Sequence, residues 1–202
     1  MGDIKRKVLK LSLLGDQAVG KTCICNCYLG LEFSETNLST IGHDKIESTM
    51  IMDDGVEMKL LIWDTAGQER FKSIALSSIK SSQGILIVFD VTKRKTFDNV
   101  SQWLSQINEQ TNNASMVIIG NKCDVDSDKR EVTETEAAQF AKDNNLPYFE
   151  TSAKMNINIK EAFTTLAKEA YKNYGTTTNL ELNTGNKEGN SGGCCKKKSK
   201  SN

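Results

Sequence analysis

The chain has 202 residues, 38% of them hydrophobic and 26% charged, which is typical of one folded domain with an additional segment. No apolar run approaches the roughly 20 residues needed to cross a bilayer, and the start lacks an apolar signal-peptide core, so we expect neither a membrane-spanning nor a secreted protein. Its 26 basic and 26 acidic side chains balance, but five lysines and one acid follow Asn186, so the body is mildly acidic and does not resemble a nucleic-acid-binding surface.

Short apolar runs alternate with longer helical patterns along the chain. We predict strands over 8–14, 45–53, 56–63, 85–90, 116–121 and 148–151, and helices over about 21–30, 99–110, 133–144 and 159–174. Asp54–Gly55 predicts a hairpin turn between the second and third strands. The alternation predicts an α/β domain over 1–174, with a six-stranded, mostly parallel sheet, one antiparallel edge strand and helices on both faces. The polar composition of 175–202 predicts a flexible tail.

The first predicted strand runs into a glycine-rich loop that fits the pattern G-x-x-x-x-G-K-[ST]. The loop consists of Gly15, Asp16, Gln17, Ala18, Val19, Gly20, Lys21 and Thr22. Phosphates bind where backbone N–H groups converge, which small residues and a helix N-terminus permit. Lys21 adds a positive charge for the outer phosphates, and the Thr22 hydroxyl is placed for Mg²⁺. The loop therefore predicts a nucleotide-phosphate site with Mg²⁺ as cofactor.

The third predicted strand is followed by Asp64, Thr65, Ala66, Gly67 and Gln68. An aspartate at a strand end can hold Mg²⁺, usually through water, and Gly67 allows a backbone N–H to approach a terminal phosphate. This short motif is weak by itself, but it stands at the strand end where such a site requires it. We therefore place Asp64 with Thr22 in the metal site.

Two further loops at strand ends fit a guanine base. They contain Asn121, Lys122 and Asp124 after the fifth strand, and Ser152, Ala153 and Lys154 after the sixth. A carboxylate can accept two N–H bonds from guanine, whereas adenine offers neither donor and leaves the acceptor unpaired. We assign Asp124 as that carboxylate. The stems of Lys122 and Lys154 would pack against the two faces of the base, and Ser152–Ala153 would brace the loop.

These four motifs, in this order and each at a strand end, resemble those of the small Ras-type GTPases over about residues 6–174. Residues 62–71 (Ile-Trp-Asp-Thr-Ala-Gly-Gln-Glu-Arg-Phe), together with Cys194–Cys195, are similar to the Rab proteins. The resemblance implies a monomeric switch that binds GTP and GDP, hydrolyses GTP slowly with Mg²⁺ and recruits effectors in vesicle traffic. It also implies an exchange factor, an activating protein and a carrier that shields the lipid of the GDP form.

The resemblance also assigns roles to individual residues. Gln68 matches the catalytic glutamine that orients the attacking water, Thr40 the threonine that meets Mg²⁺ and the γ-phosphate, and Phe33 the aromatic side chain beside guanine. Cys23, Thr65 and Ala66 fall within the same nucleotide site. Residues 67–80 match the second switch. The first, effector-facing switch would comprise Asn37, Leu38, Ser39, Thr40, Ile41, Gly42, His43, Asp44 and Lys45.

Two positions depart from the family pattern. Lys45 stands where Rab proteins usually have phenylalanine, so we expect a different set of effectors. Gln17 stands beside the γ-phosphate, where the family prefers a small residue. We predict that it obstructs Gln68 or an activator's arginine and slows hydrolysis; the alternative is that it faces solvent. His43, expected in an exposed loop, is interpreted as an interface residue.

The end of the chain combines Cys194 and Cys195 with a cluster of lysines. Stable anchoring takes two signals, which two prenylated cysteines or one lipid plus the lysines would supply. We expect lipidation and a position on the cytoplasmic face of a membrane, with a cytosolic pool. Palmitoylation, trimming and an unmodified tail are the alternatives. Two rival functions are a permanently GTP-bound scaffold and a metabolic kinase with the same phosphate loop.

Overall fold

The computed structural model describes residues 7–34, 43–65, 79–111 and 113–182. Six strands form one sheet in the order β2-β3-β1-β4-β5-β6. They are β1 (Lys7–Leu14), β2 (His43–Ile51), β3 (Glu57–Thr65), β4 (Gly84–Asp90), β5 (Ser115–Asn121) and β6 (Tyr148–Thr151). Strand β2 pairs antiparallel with β3, and every other pairing is parallel, which confirms the predicted sheet.

Helices of very different lengths cover the sheet. They are α1 (Lys21–Tyr28), α2 (Arg94–Asp98), α3 (Val100–Gln110), α4 (Glu134–Asp143) and α5 (Ile159–Leu182), with a 3-10 turn at Ser127–Lys129. Helix α4 begins as predicted, because the Thr133 hydroxyl accepts a hydrogen bond from the Glu136 backbone N–H at 3.2 Å. Helix α2 was not predicted, since five residues are too few to display a helical period.

Several boundaries differ from the sequence prediction by one or two residues, and the end of α5 differs by more. Helix α5 continues to Leu182, eight residues beyond the expected end at 174, so the start of the predicted tail is helical. The glycine and threonines after Tyr174 have low helix propensity, but extending a helix that is already docked costs little. His43 and Asp44 belong to β2 rather than to a loop, because His43 pairs with Thr65 and Asp44 with Asp64.

The predicted hairpin lies between β2 and β3. Gly55 has φ 78°, a left-handed conformation that glycine adopts without strain, and the Val56 N–H donates to the Asp54 carboxylate at 3.2 Å. The turn also contacts α5: the Tyr171 hydroxyl donates to Asp54 at 2.7 Å, and the Lys168 ammonium lies 2.6 Å from Asp53. The turn is thus attached to the last helix of the domain.

The hydrophobic core lies on both faces of the sheet. The apolar face of α5 is buried against one face of the sheet; it consists of Ile159, Phe163, Leu166, Ala167 and Ala170. On the other face, Phe97, Val100 and Ile107 pack with Phe89 of β4. In the described part of the chain, no helix combines the length and apolar character needed to span a membrane. Covering both faces leaves the carboxyl ends of the parallel strands as the open edge for ligands.

Candidate functional site

The loop after β1 is shaped by two glycines. Gly15 has φ 143° and Gly20 has φ 98°, and Gly20 is the residue that precedes α1. A Cβ atom on Gly15 would collide with the Val88 carbonyl oxygen, and one on Gly20 would collide with the side-chain amide of Asn121. Both positions therefore require glycine, for conformation and for space.

Lys21 lies at the start of α1 and is 5% exposed. Its ammonium donates to the carbonyl oxygens of Gly15 at 2.9 Å and Asp16 at 2.8 Å. Burial lowers the pKa of Lys21 to about 8, while the carboxylates of Asp64 and Asp16 act in the opposite direction. The ammonium is thus poorly solvated and held inside the loop, where an anionic ligand would stabilise its charge.

Ala18 adopts a conformation that is costly for a residue with a side chain, at φ 62°. We expect Ala18→Gly to stabilise the nucleotide-free domain by about 0.5–1 kcal/mol. This is the backbone strain that glycine removes from the folded state, minus the conformational entropy that it adds to the unfolded chain. Urea unfolding measures the difference. The matched control is Ala138→Gly on the exposed face of α4, where glycine should destabilise by about 0.5–1 kcal/mol. If both variants changed the free energy of unfolding in the same direction, that result would contradict strain at Ala18.

The predicted metal ligands Thr22 and Asp64 are in direct contact. The Thr22 hydroxyl donates to the Asp64 carboxylate at 2.6 Å, and Asp64 is 1% exposed at the end of β3. A hydroxyl and a carboxylate are oxygen donors of the kind that Mg²⁺ prefers. No group of three or more histidine, cysteine or acidic side chains suited to a metal occurs among the described residues. The two residues thus fit Mg²⁺ as partial ligands, with nucleotide oxygens and water completing its shell.

The loop after β5 is joined to the phosphate loop. The Asn121 side chain donates to the Val19 carbonyl at 2.8 Å and is itself 2% exposed. The Lys122 ammonium donates to the Ala18 carbonyl at 3.0 Å and lies 2.5 Å from the Asp90 carboxylate. Asp90, the buried last residue of β4, was not predicted as part of the site, because a single aspartate after an apolar run carries no distinguishing pattern.

The loops at the guanine end of the site lie side by side. The Cys123 N–H donates to the Thr151 carbonyl at 3.0 Å, so the ends of β5 and β6 meet. Ser152 and Ala153 are buried, and the Ser152 hydroxyl accepts from the Met155 N–H at 2.9 Å. The side chains of Asp124 and Lys154 are exposed. The bracing residues are therefore inside the protein, and two of the predicted base contacts, Asp124 and Lys154, are accessible.

Arg130 and Glu150 form an ion pair beneath these loops that the sequence analysis missed. Two parallel bonds of 2.6 Å join the guanidinium and the carboxylate, which are 19% and 14% exposed. The Tyr148 hydroxyl donates to the same carboxylate at 3.1 Å, and burial next to Glu150 raises the pKa of Tyr148 strongly. The pair ties the segment after β5 to the residue that precedes Thr151. An isolated arginine gives no local signal of such a partner 20 residues away.

We expect Arg130→Met to destabilise the domain by about 2–3 kcal/mol, because it leaves the Glu150 carboxylate largely buried without its cation. Urea unfolding of the nucleotide-free protein measures this loss. The control is Lys129→Met, which breaks the exposed ion pair with Asp126 and should cost less than about 0.5 kcal/mol. A similar effect for both variants would show that Arg130 has no special role.

The remaining predicted residues differ in what the structure describes. Phe33 is 40% exposed, Gln17 is exposed, and Cys23 in α1 is half-buried. Lys45 lies in β2 and forms an ion pair of 2.8 Å with Glu47. The other residues predicted for the two switches, the nucleotide site and the tail lie outside the described residues. They are Asn37, Leu38, Ser39, Thr40, Ile41, Gly42, Ala66, Gly67, Gln68, Cys194 and Cys195.

Comparison with known proteins agrees with this geometry. The model of the Ras family matches residues 10–172. "Ras-related protein Rab-10" of Diplobatis ommata is 45% identical over 164 residues, which cover 80% of this chain and 80% of that protein. "Ras-related protein Rab-8A" of Bos taurus and of Rattus norvegicus are each 44% identical, over 80% of this chain and 78% of theirs. The chain therefore belongs to the Ras family of small GTPases and, within it, to the Rab proteins.

Proposed function

We propose that this protein is a guanine-nucleotide switch that hydrolyses GTP with Mg²⁺ and recruits effectors during vesicle traffic. One observation carries the proposal: the phosphate loop, the end of β3 and the loop after β5 meet at one edge of the sheet. Thr22 contacts Asp64 there at 2.6 Å, and the side chain of Asn121 donates to the Val19 carbonyl at 2.8 Å. These contacts support the proposal, because the residues predicted for phosphate and metal lie next to the loop predicted to contact the base.

The proposed mechanism assigns one task to each residue. The amides of the phosphate loop and the Lys21 ammonium would bind the phosphates, while Asp124 would accept two N–H bonds from guanine. Bound Mg²⁺ would neutralise charge on the outer phosphates, held by Thr22 and Asp64 and, in the GTP form, by Thr40. Gln68 would orient the attacking water. Loss of the γ-phosphate would remove its contacts with Thr40 and the Gly67 amide and release both switches.

Calorimetry tests the binding part of the proposal. GDP and GTP should bind with Mg²⁺ present at least about a thousandfold more tightly than ADP and ATP, because adenine lacks the donors that Asp124 requires. Chelating Mg²⁺ should weaken GTP binding. Equal affinity for the adenosine nucleotides would reject a guanine switch and favour the metabolic kinase weighed above.

The second part of the proposal is that GTP hydrolysis is slow, and that the Gln17 side chain of this protein contributes to the slow rate. In a single-turnover assay, Gln17→Gly should hydrolyse GTP about threefold faster or more, because the side chain beside the γ-phosphate is removed. Gln68→Leu should be at least about tenfold slower, because no group then orients water. Equal rates for wild type and Gln17→Gly would show that the exposed Gln17 does not obstruct the reaction.

Membrane attachment is the third part. We propose that Cys194 and Cys195 carry prenyl groups and that the neighbouring lysines add attraction to an anionic leaflet. The protein would then alternate between a membrane and a cytosolic complex with a lipid-shielding carrier, under the control of an exchange factor and an activating protein. Mass spectrometry of the C-terminal peptide from native cells tests this: two prenyl masses support it, and an unmodified peptide contradicts it.

The alternative of a permanently GTP-bound scaffold has no support from the fold or from the similar proteins. Gln17 is the residue that suggests a scaffold, and the effect proposed for it above is to slow hydrolysis rather than to abolish it. The nucleotide recovered with the purified protein distinguishes the two functions, since a cycling GTPase should retain mostly GDP.

A further inference from the structure

The carboxylate of Asp16 belongs to the phosphate loop but is bound by another part of the molecule. The Asn99 side-chain amide, immediately before α3, donates to one oxygen at 2.7 Å. The Trp103 indole N–H, from the first turn of α3, donates to the other at 3.0 Å. Both donors are partly buried, and neither belongs to any of the four nucleotide motifs.

The backbone of the same residue is in contact with Lys21. The Asp16 carbonyl accepts a hydrogen bond from the Lys21 ammonium at 2.8 Å. The side chain of Asp16 is therefore bound at α3, while its main-chain carbonyl binds Lys21, the principal cation of the phosphate loop. Hydrogen bonds from Asn99 and Trp103 on one side and from Lys21 on the other therefore hold this one residue in place.

A carboxylate in a phosphate-binding loop also presents an electrostatic problem. Like charges repel strongly where little water separates them, so a freely rotating Asp16 side chain would oppose the binding of a di- or triphosphate. Two donors on α3 satisfy the carboxylate and fix it on the side of the loop that faces this helix.

We propose that Asn99 and Trp103 are positioning residues for nucleotide binding. They hold the Asp16 carboxylate against α3, away from the phosphates, and fix the carbonyl that orients Lys21. This inference rests on the proposed guanine-nucleotide function. It makes the surface of α3 a place from which a bound protein could alter nucleotide retention.

The test is a charge-rescue experiment with GDP and Mg²⁺, measured by calorimetry on the full chain. The double variant Asn99→Ala/Trp103→Phe keeps an aromatic ring at 103 and removes both donors. Its affinity for GDP should fall about tenfold, which corresponds to roughly 1.4 kcal/mol. Adding Asp16→Asn to the double variant should raise the affinity for GDP at least about threefold above that of the double variant, because the neutral amide no longer repels phosphate.

Controls separate positioning from a general loss of packing. Gln102→Ala, at an exposed site in the same turn of α3, should leave GDP affinity unchanged within about twofold. Thermal unfolding of the nucleotide-free variants is measured in parallel, since a packing defect would lower the melting temperature without rescue by Asp16→Asn. Trp103→Phe alone, with an expected threefold loss, provides the measurement if the double variant does not fold.

The outcomes are distinguishable. The positioning role is overturned if the variants bind GDP as tightly as the wild type, or if Asp16→Asn does not reverse their loss of affinity. In both cases, binding of GDP by the wild-type chain still upholds the proposed function. Failure of the wild-type chain to bind GDP overturns the proposed function and, with it, this inference.

Discussion

Replacing Asp124 by asparagine should lower the affinity for GTP by about a thousandfold or more and create a preference for xanthosine triphosphate. In the proposed function the carboxylate would accept from both N–H groups on the edge of guanine, whereas an asparagine amide would accept from one and oppose the other. Xanthine has an oxygen in place of the 2-amino group, so the asparagine N–H can donate to it. Competition between labelled GTP and each triphosphate measures the change.

The control for this exchange is Asp126→Asn, two residues along the same loop. Asp126 is also exposed, and its carboxylate pairs with Lys129 at 2.8 Å, so a general loss of negative charge would act equally at both positions. We expect Asp126→Asn to retain the preference for guanine. If Asp124→Asn still preferred guanosine to xanthosine triphosphate, another group would have to recognise the base.

Replacing Lys21 by methionine should weaken GDP and GTP binding by about a hundredfold or more. The ammonium is buried and fixed by two carbonyl oxygens, so the loop is organised around a charge that a methionine lacks. Methionine has similar length and tolerates burial, so the free energy of unfolding of the nucleotide-free protein should change by no more than about 1 kcal/mol. Calorimetry and urea unfolding measure the two quantities.

The matched control is Lys142→Met, because Lys142 is exposed on α4 and belongs to none of the site motifs. It should leave both nucleotide affinity and stability almost unchanged. If Lys21→Met and Lys142→Met bound GTP equally well, the phosphate site would have to lie elsewhere. If Lys21→Met lowered the free energy of unfolding strongly but left the nucleotide affinity unchanged, Lys21 would have a structural role only.

The nucleotide loops could be predicted because their chemistry is local. Eight consecutive residues carry the phosphate loop, and the structure shows why glycine stands at Gly15 and Gly20: any side chain there would collide with Val88 or Asn121. The predicted hairpin at Gly55 is equally local, and the structure confirms it. The residue pattern of such features lies within a few neighbouring positions, so a single sequence contains it, even where the collisions that require glycine involve distant residues.

Other features escaped prediction because they depend on residues far apart in the chain. Arg130 meets Glu150 across 20 positions, and Trp103 meets Asp16 across 87. The extension of β2 to His43 follows from pairing with Thr65, for which polar residues give no signal. Sequence patterns report the periodicity of one segment, whereas these contacts arise only when the sheet brings separate segments together.

With the proposed lipid anchor at Cys194 and Cys195, the length of α5 sets how far the globular part can move from the membrane. Eleven residues separate Leu182 from Cys194, so this link reaches at most about 40 Å, and the eight helical residues after 174 add about 12 Å, against about 60 Å if the link began at 175. A shorter link confines the switch to a thinner layer above the bilayer and raises its local concentration there. Soluble partners would therefore encounter it closer to the lipid headgroups than a fully unstructured segment would allow.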